Sequence, residues 1–304
     1  LADKGTGTLK LNPCNLCPRE CGADRESAFG FCGYGNEIKA ARAAPHFWEE
    51  PCISGSSGSG AVFFSGCPLK CCYCQNFEIS CKGYGREITA ERLAEIFLEL
   101  QDRGVHNINL VTAAQYLTGV IKALDIARPG LHIPVVYNSS GYERAEAVKA
   151  LKGYVDIYLP DIKYFSPEIS QDYSKAKDYF NIASAAVKEM VRQTGTVGYD
   201  KQGVMQKGVI IRHMVLPGAR EDSIRILKWM SGSLPKDKFL LSLMSQYTPM
   251  FRAEEYGGIN RRVTTFEYES VVKEALRLGL DNGFIQRRSS AKSGYTPVFD
   301  FEGV

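Results

Sequence analysis

From position 61 onward the chain alternates between two hydrophobic periods. Short, almost continuously apolar runs at 61–65, 107–112, 134–138, 156–159, 209–216 and 239–244 read as strands buried on both faces. Amphipathic stretches lie between them. The clearest opens at Thr89 as N-cap, sets Leu93, Ile96, Phe97 and Leu100 on one face and stops at Gly104. Further helices are predicted over 116–128, ended by Pro129-Gly130, over 143–151, over 221–230 and over 264–278, stopped by Gly279. A longer helical region begins at the cap-and-proline pair Ser166-Pro167 and runs to about 193. Positions 195–207 read as a polar loop, and 283–286 as a last short apolar piece before an irregular tail. Six strand–helix units with buried strands predict an α/β fold, either a parallel β/α barrel or a doubly wound sheet.

Before position 61 the pattern is different. A polar lead-in, 1–13, is followed by a cysteine-bearing stretch rich in turn residues and too poor in apolar ones to build its own core. The connector over 42–60 holds His46-Phe47-Trp48-Glu49-Glu50-Pro51 and a glycine–serine run at 55–60. That run lacks a following Lys-Ser/Thr and feeds a strand rather than a helix, so it is not a phosphate loop. Around Trp48 the expectation is a packed aromatic lid with solvated acids. Two parts result: a cysteine-rich extension, 1–44, and a core domain, 45–304, with a C-terminal tail.

Cysteine placement changes this picture more than overall composition does. All ten cysteines fall between positions 14 and 81, and the 223 residues after Cys81 have none. A disulfide framework would spread its cysteines over the fold, so reduced, metal-holding thiolates in an oxygen-sensitive cytoplasmic protein are expected. The start, Leu1-Ala2-Asp3-Lys4-Gly5, is not a basic-then-apolar signal and does not begin with Met, as a trimmed start would not. No apolar run approaches the roughly 18 residues of a membrane span. A net charge of +3 argues for neither a nucleic-acid nor an anionic-membrane partner.

The cysteines form two sets. Cys14, Cys17, Cys21 and Cys32 stand as C-x2-C-x3-C-x10-C, the ligand count of a closed zinc site or a four-thiolate iron–sulfur cluster. Cys67, Cys71 and Cys74 stand as C-x3-C-x2-C directly after a strand, with Tyr73 before the last cysteine. Three thiolates hold three corners of an iron–sulfur cube and leave the fourth iron open for chemistry. Cys52, Cys72 and Cys81 belong to neither set, and Cys72, abutting Cys71, reads as a buried spectator. In a β/α barrel the working residues sit at the carboxyl ends of strands. Those ends here carry Thr112 and Gln115, Asn138 and Ser139, Asp161 and Lys163, and Arg212. A zwitterionic nucleoside needs an acceptor for its amine, cations for its carboxylate and polar groups for its ribose, and this set offers all three. His213 is given no catalytic role.

The cysteine loop, with Phe63-Phe64-Ser65-Gly66-Cys67 before it, resembles that of the radical S-adenosylmethionine (SAM) superfamily. Val136-Tyr137-Asn138-Ser139-Ser140-Gly141-Tyr142, Asp156-Ile157-Tyr158-Leu159-Pro160-Asp161, Arg212-His213 and Leu243-Met244-Ser245-Gln246-Tyr247-Thr248-Pro249 narrow the resemblance. They are similar to the family named for its likeness to pyruvate formate-lyase activating enzyme, the PflX-like proteins. The resemblance implies a partial (β/α)6 TIM-like barrel with the N-terminal cysteine-rich extension, and a [4Fe-4S] cluster on Cys67, Cys71 and Cys74. It also implies SAM on the open iron, reductive cleavage to a 5′-deoxyadenosyl radical, and a flavodoxin- or ferredoxin-type electron donor. The Gly-Gly-Glu feature that many radical SAM proteins carry after the second strand is replaced here by Thr112-Ala113-Ala114-Gln115, leaving Thr112 and Gln115 as candidates for the SAM amine. The implied activity is activation of a glycyl-radical enzyme. Radical modification of a peptide or small molecule is the alternative, and a metal-binding scaffold the non-enzymatic one.

Overall fold

The computed structural model describes residues 9–286 and 296–304. Beyond the cysteine-rich stretch the chain enters β1 (Ile38–His46), a short helix α1 (Pro51–Ser54) and β2 (Ser59–Phe64). The loop with Cys67, Cys71 and Cys74 follows, then α2 (Phe77–Ser80) and β3 (Arg86–Ile88). Alternation then sets in: α3 (Ala90–Asp102), β4 (Ile108–Val111), α4 (Leu117–Ala127), β5 (Val135–Ser139), α5 (Ala145–Ala150) and β6 (Ile157–Pro160). Two helices, α6 (Pro167–Ser174) and α7 (Tyr179–Thr194), precede a two-residue strand β7 (Gly198–Tyr199) and the long β8 (Met205–Met214). The chain continues through α8 (Arg220–Ser233), β9 (Leu240–Met244), α9 (Thr265–Arg277) and β10 (Gly283–Ile285).

One open sheet runs β10-β9-β8-β6-β5-β4-β2-β1-β3, with β7 attached to β8. Every neighbour from β2 to β10 along this path is parallel, while β1 is antiparallel to both β2 and β3. The six expected strands are therefore β2, β4, β5, β6, β8 and β9, in chain order and parallel, as a partial barrel requires. The apolar piece at 283–286 adds a further parallel strand.

Local chemistry explains the boundaries. The Thr89 hydroxyl accepts from the Arg92 amide at 3.1 Å and opens α3, whose buried face includes Leu93, Ile96, Phe97 and Leu100. Thr264 and Glu267 form a reciprocal capping box at the start of α9. The single long helix expected from position 166 is instead two. Lys175 adopts the left-handed conformation (φ 52°), ending α6 at the buried Ser174 before α7 restarts at Tyr179. Similarly, the expected polar loop over 195–207 holds β7, and β8 begins inside it.

Two segments cover the open barrel. β1 runs across positions 44 and 45 and, because it is antiparallel to β2, delivers His46 opposite Ser59 at the amino end of the parallel strands. There α1 inserts Cys52 and Ile53 against Val136, Ile157, Leu159, Met205, Ile210 and Leu240, plugging the barrel floor. At the other edge the tail lies along β1, with the Phe301 amide donating to Ala41 O (3.1 Å) and the Ala43 amide to Glu302 O (2.8 Å).

Candidate functional site

Above the floor, at the carboxyl ends of the strands, lies a cavity of about 320 Å³. Its wall brings together Cys67, Cys71 and Cys74 with Thr112, Asn138, Ser139, Asp161, Lys163 and Arg212. The last six come from four different strand ends or the turns after them.

The sulfurs of Cys67, Cys71 and Cys74 each have a hydrogen-bond partner. The Leu69 amide points at Cys67 Sγ (3.3 Å), the Ser174 hydroxyl at Cys71 Sγ (3.1 Å) and the Ser80 hydroxyl lies 3.3 Å from Cys74 Sγ. Burial pushes the Cys67 thiol up to about 11 and that of Cys74 higher still. A thiolate there needs cationic compensation, which iron supplies on binding. No three His, Cys, Asp or Glu side chains among the described residues stand as ligands of a single metal ion do. Ligands on one ion at about 2.3 Å crowd together; cysteines bordering an open cavity suit the larger body of a cluster. The donors and the cavity together fit a cube held at three corners.

Arg212 is the centre of the opposite wall. Its Nε donates to Asp161 Oδ1 (2.9 Å), Nη2 to Asn138 Oδ1 (2.6 Å) and Nη1 to Glu49 Oε2 (3.2 Å). Lys163 Nζ donates to the other Asp161 oxygen. Burial alone would raise the Asp161 carboxyl, but Arg212 and Lys163 together hold it below the usual carboxylate range. Thr112 is held at φ 61°, in the left-handed region that a β-branched residue rarely enters. Strain of this kind accumulates where a wall must be shaped for a ligand. The Ser139 hydroxyl accepts from the Gly141 amide at 3.2 Å and shapes the turn after β5.

Glu49 and Glu50 overturn the reading of solvated acids under an aromatic lid. It is Phe47 and Trp48 that are exposed, at 54% and 62%, whereas both carboxylates turn into the barrel and line the cavity. Glu49 Oε1 accepts from Asn109 Nδ2 (3.2 Å) and Asn138 Nδ2 (3.0 Å). Burial raises both acids against the pull of Arg212, and Glu50 Oε2 has no hydrogen-bond partner. The only sequence signal was indirect: two strand-end cations with a single acid, Asp161, to balance them.

Gln115 is placed elsewhere. Its side-chain amide donates to Ser65 O (3.0 Å), Gly66 O (3.1 Å) and Thr112 O (2.8 Å), so it braces the cysteine loop from behind and is not part of the cavity wall. His213 is buried with Nδ1 on Ile162 O and lies outside the cavity wall. Cys72 is buried in the core and Cys52 belongs to the floor plug.

The N-terminal cysteines gather loosely. Cys14, Cys17 and Cys32 are buried, Cys21 is exposed, and Arg25 Nη1 faces Cys14 Sγ at 3.7 Å. A side-chain carbon on Gly30 would lie 3.4 Å from Cys21 Sγ and 3.5 Å from Cys32 Sγ, so those sulfurs share one small space. Arg19, between Cys17 and Cys21, reaches the loop of Cys67, Cys71 and Cys74 and the end of α6: Nε donates to Pro68 O (2.8 Å) and Nη2 to Ser174 O (2.9 Å).

The family model described as the Radical SAM superfamily matches residues 61–230. The chain is 31% identical over 278 residues to Uncharacterized protein MJ0674 of Methanocaldococcus jannaschii, covering 88% of this chain and 75% of that one. It is 28% identical over 120 residues to a pyruvate formate-lyase-activating enzyme of Clostridium pasteurianum, covering 37% of this chain and 48% of the enzyme. Among solved structures, methylornithine synthase (PylB) aligns with a TM-score of 0.46 and 16% identity over 69% of this chain and 59% of that one.

Proposed function

The chain belongs to the radical SAM superfamily, and from that premise we propose a hydrogen-abstracting enzyme of the glycyl-radical activase type. The observation that carries the reading is the single cavity in which Cys67, Cys71 and Cys74 face the charged strand ends. When bound, a [4Fe-4S] cluster and SAM supply a 5′-deoxyadenosyl radical by one-electron reduction. The protein's own work is holding and shielding. Cys67, Cys71 and Cys74 hold the cluster. Asp161 and Lys163 offer an acceptor and a cation to the SAM amino-acid group, and Arg212 locks Asp161 in place. Thr112, Asn138 and Ser139 line the route of the ribose. The plug α1 closes the floor with Cys52 and Ile53 and keeps water from entering there.

The activase substrate is supported by the partial similarity to the activating enzyme of Clostridium pasteurianum. A flavodoxin- or ferredoxin-type donor would supply the electron. A second metal, zinc or iron–sulfur, at Cys14, Cys17, Cys21 and Cys32 belongs to the same proposal, supported by three buried sulfurs and the Arg25 donor beside them. Iron and zinc analysis of a Cys67/Cys71/Cys74 triple variant tests it, because only the N-terminal set then holds metal.

The test of the main reading is anaerobic reconstitution, reduction and assay of 5′-deoxyadenosine. The wild type forms it and Cys67→Ala does not. A cluster that assembles but never cleaves SAM would remove the enzymatic reading. With a glycyl-radical protein added, a glycyl signal by electron paramagnetic resonance (EPR) supports the activase. 5′-Deoxyadenosine without that signal moves the substrate to a peptide or small molecule.

A further inference from the structure

Three buried hydroxyls lead from the core to one cluster cysteine. Tyr73 Oη lies 2.6 Å from Tyr164 Oη, Tyr164 Oη 2.7 Å from Ser174 Oγ, and Ser174 Oγ 3.1 Å from Cys71 Sγ. All three residues are buried. The direction of the chain is forced. A ligating thiolate only accepts, so Ser174 must spend its one proton on Cys71, accept from Tyr164, and leave Tyr164 to accept from Tyr73. Hydroxyls aligned head to tail polarise one another, which strengthens the last bond.

This donor differs from those of the other two cysteines. Leu69 and Ser80 belong to the loop or the turn just after it, whereas Ser174 comes from the end of α6, 103 positions away. Its placement depends on the left-handed Lys175 that stops the helix there, and on Arg19, which donates to the carbonyls of Ser174 and Lys175. The helix break that sequence periodicity does not predict is what delivers the hydroxyl.

We propose that Tyr73, Tyr164 and Ser174 form a hydrogen-bond relay that sets the electron affinity of the cluster through Cys71, with Ser174 as its positioning residue. Hydrogen bonds to cluster sulfurs tune reduction potential. Adding an electron makes the sulfurs more negative and strengthens the bond they accept. The relay therefore favours the reduced form, and its loss lowers the potential. The inference rests on the assignment of Cys67, Cys71 and Cys74 as cluster ligands.

The experiment is an EPR-monitored redox titration of the reconstituted full chain without SAM. Ser174→Ala shifts the reduction equilibrium toward the oxidised form by up to about tenfold, about 59 mV for one electron. Ser174→Thr restores it, and Tyr164→Phe gives a smaller shift of the same sign because Ser174 still donates. An unchanged potential in Ser174→Ala, at wild-type iron content, overturns the relay. If Ser174→Ala fails to hold a cluster, Tyr164→Phe decides: a negative shift supports the relay and no shift overturns it. Failure of the wild type to bind a cluster would overturn the ligand assignment instead.

Discussion

Glu143 sits fully buried beside the site, with its carboxylate 3.3 Å from Tyr137 Oη, and burial raises its carboxyl to about 8. In the unfolded chain the same group ionises near 4.5. Below that value both states are protonated and nothing is lost. As pH climbs from about 4.5 to about 8, the unfolded chain gives up its proton while the folded chain keeps it, so stability falls by up to about 1.4 kcal/mol per pH unit. Urea midpoints at pH 6 and pH 8 should show the wild type weakening and Glu143→Gln weakening less; equal slopes would mean that Glu143 is ionised in the fold. Arg212 poses the opposite problem. Replacing it with Met leaves Glu49 buried without its cation and Asp161 with Lys163 as its remaining one, at a cost of about 3–5 kcal/mol. Arg212→Lys should recover only part of this, because one ammonium cannot reach Asp161, Asn138 and Glu49 on three separate segments as the guanidinium does. Chemical denaturation of the pair measures the difference.

At the scale of elements, β2, β4, β6 and β9 were readable because they are buried on both faces and so read as almost continuous apolar runs. β1 was not readable. Its residues mix alanine with Lys39 and Arg42, and its strand identity comes from pairing with β2 and β3 rather than from its own pattern. The break between α6 and α7 was hidden for a similar reason, since no glycine or proline marks it. Arg19 tests how the extension is fastened. Its guanidinium spans Pro68, Ser174 and Lys175 and stacks 4.2 Å from the Phe31 ring centroid. Arg19→Ala removes these charge-assisted bonds and should cost about 2–4 kcal/mol in total, as roughly 1.5–3 kcal/mol each is an upper guide. Limited proteolysis should then cut within residues 9–36 several-fold faster than in the wild type. Arg19→Lys should not restore protection, because a point charge cannot reproduce the planar fork.

For the molecule as a whole, the barrel wall is incomplete and the last residues seal one side of it. Phe299 packs edge-on against Phe63 at 5.6 Å and shares a buried cluster with Ala41, Ala61, Ile79 and Val111. Phe63 and Val111 also line the cavity, and Thr296 and Pro297 of the tail reach its wall directly, while Phe299 backs Phe63 from behind. Arg42 holds the tail through Asp300 (2.6 Å) and Glu302, and Arg103 reaches Glu302 at 3.0 Å. These ion pairs are partly exposed and contribute little each. The apolar contact of Phe299 and the two backbone bonds to β1 do most of the fastening. Deleting residues 298–304 should therefore destabilise the fold by about 3–5 kcal/mol, the range for losing a buried aromatic side chain. It should also leave the edge of β1 open to pairing with other chains. The more telling readout is chemical. With Phe63 uncovered, oxygen reaches the cysteine loop from the side, and the iron–sulfur absorbance of the truncated protein should bleach in air several-fold faster than that of the full chain. Phe299→Ala, which keeps the backbone bonds, separates the two roles. Rapid bleaching in that variant, with a loss of stability close to that of the truncation, assigns both the seal and most of the fastening to the ring itself. Bleaching at the wild-type rate in both variants would show that the cavity is closed without the tail.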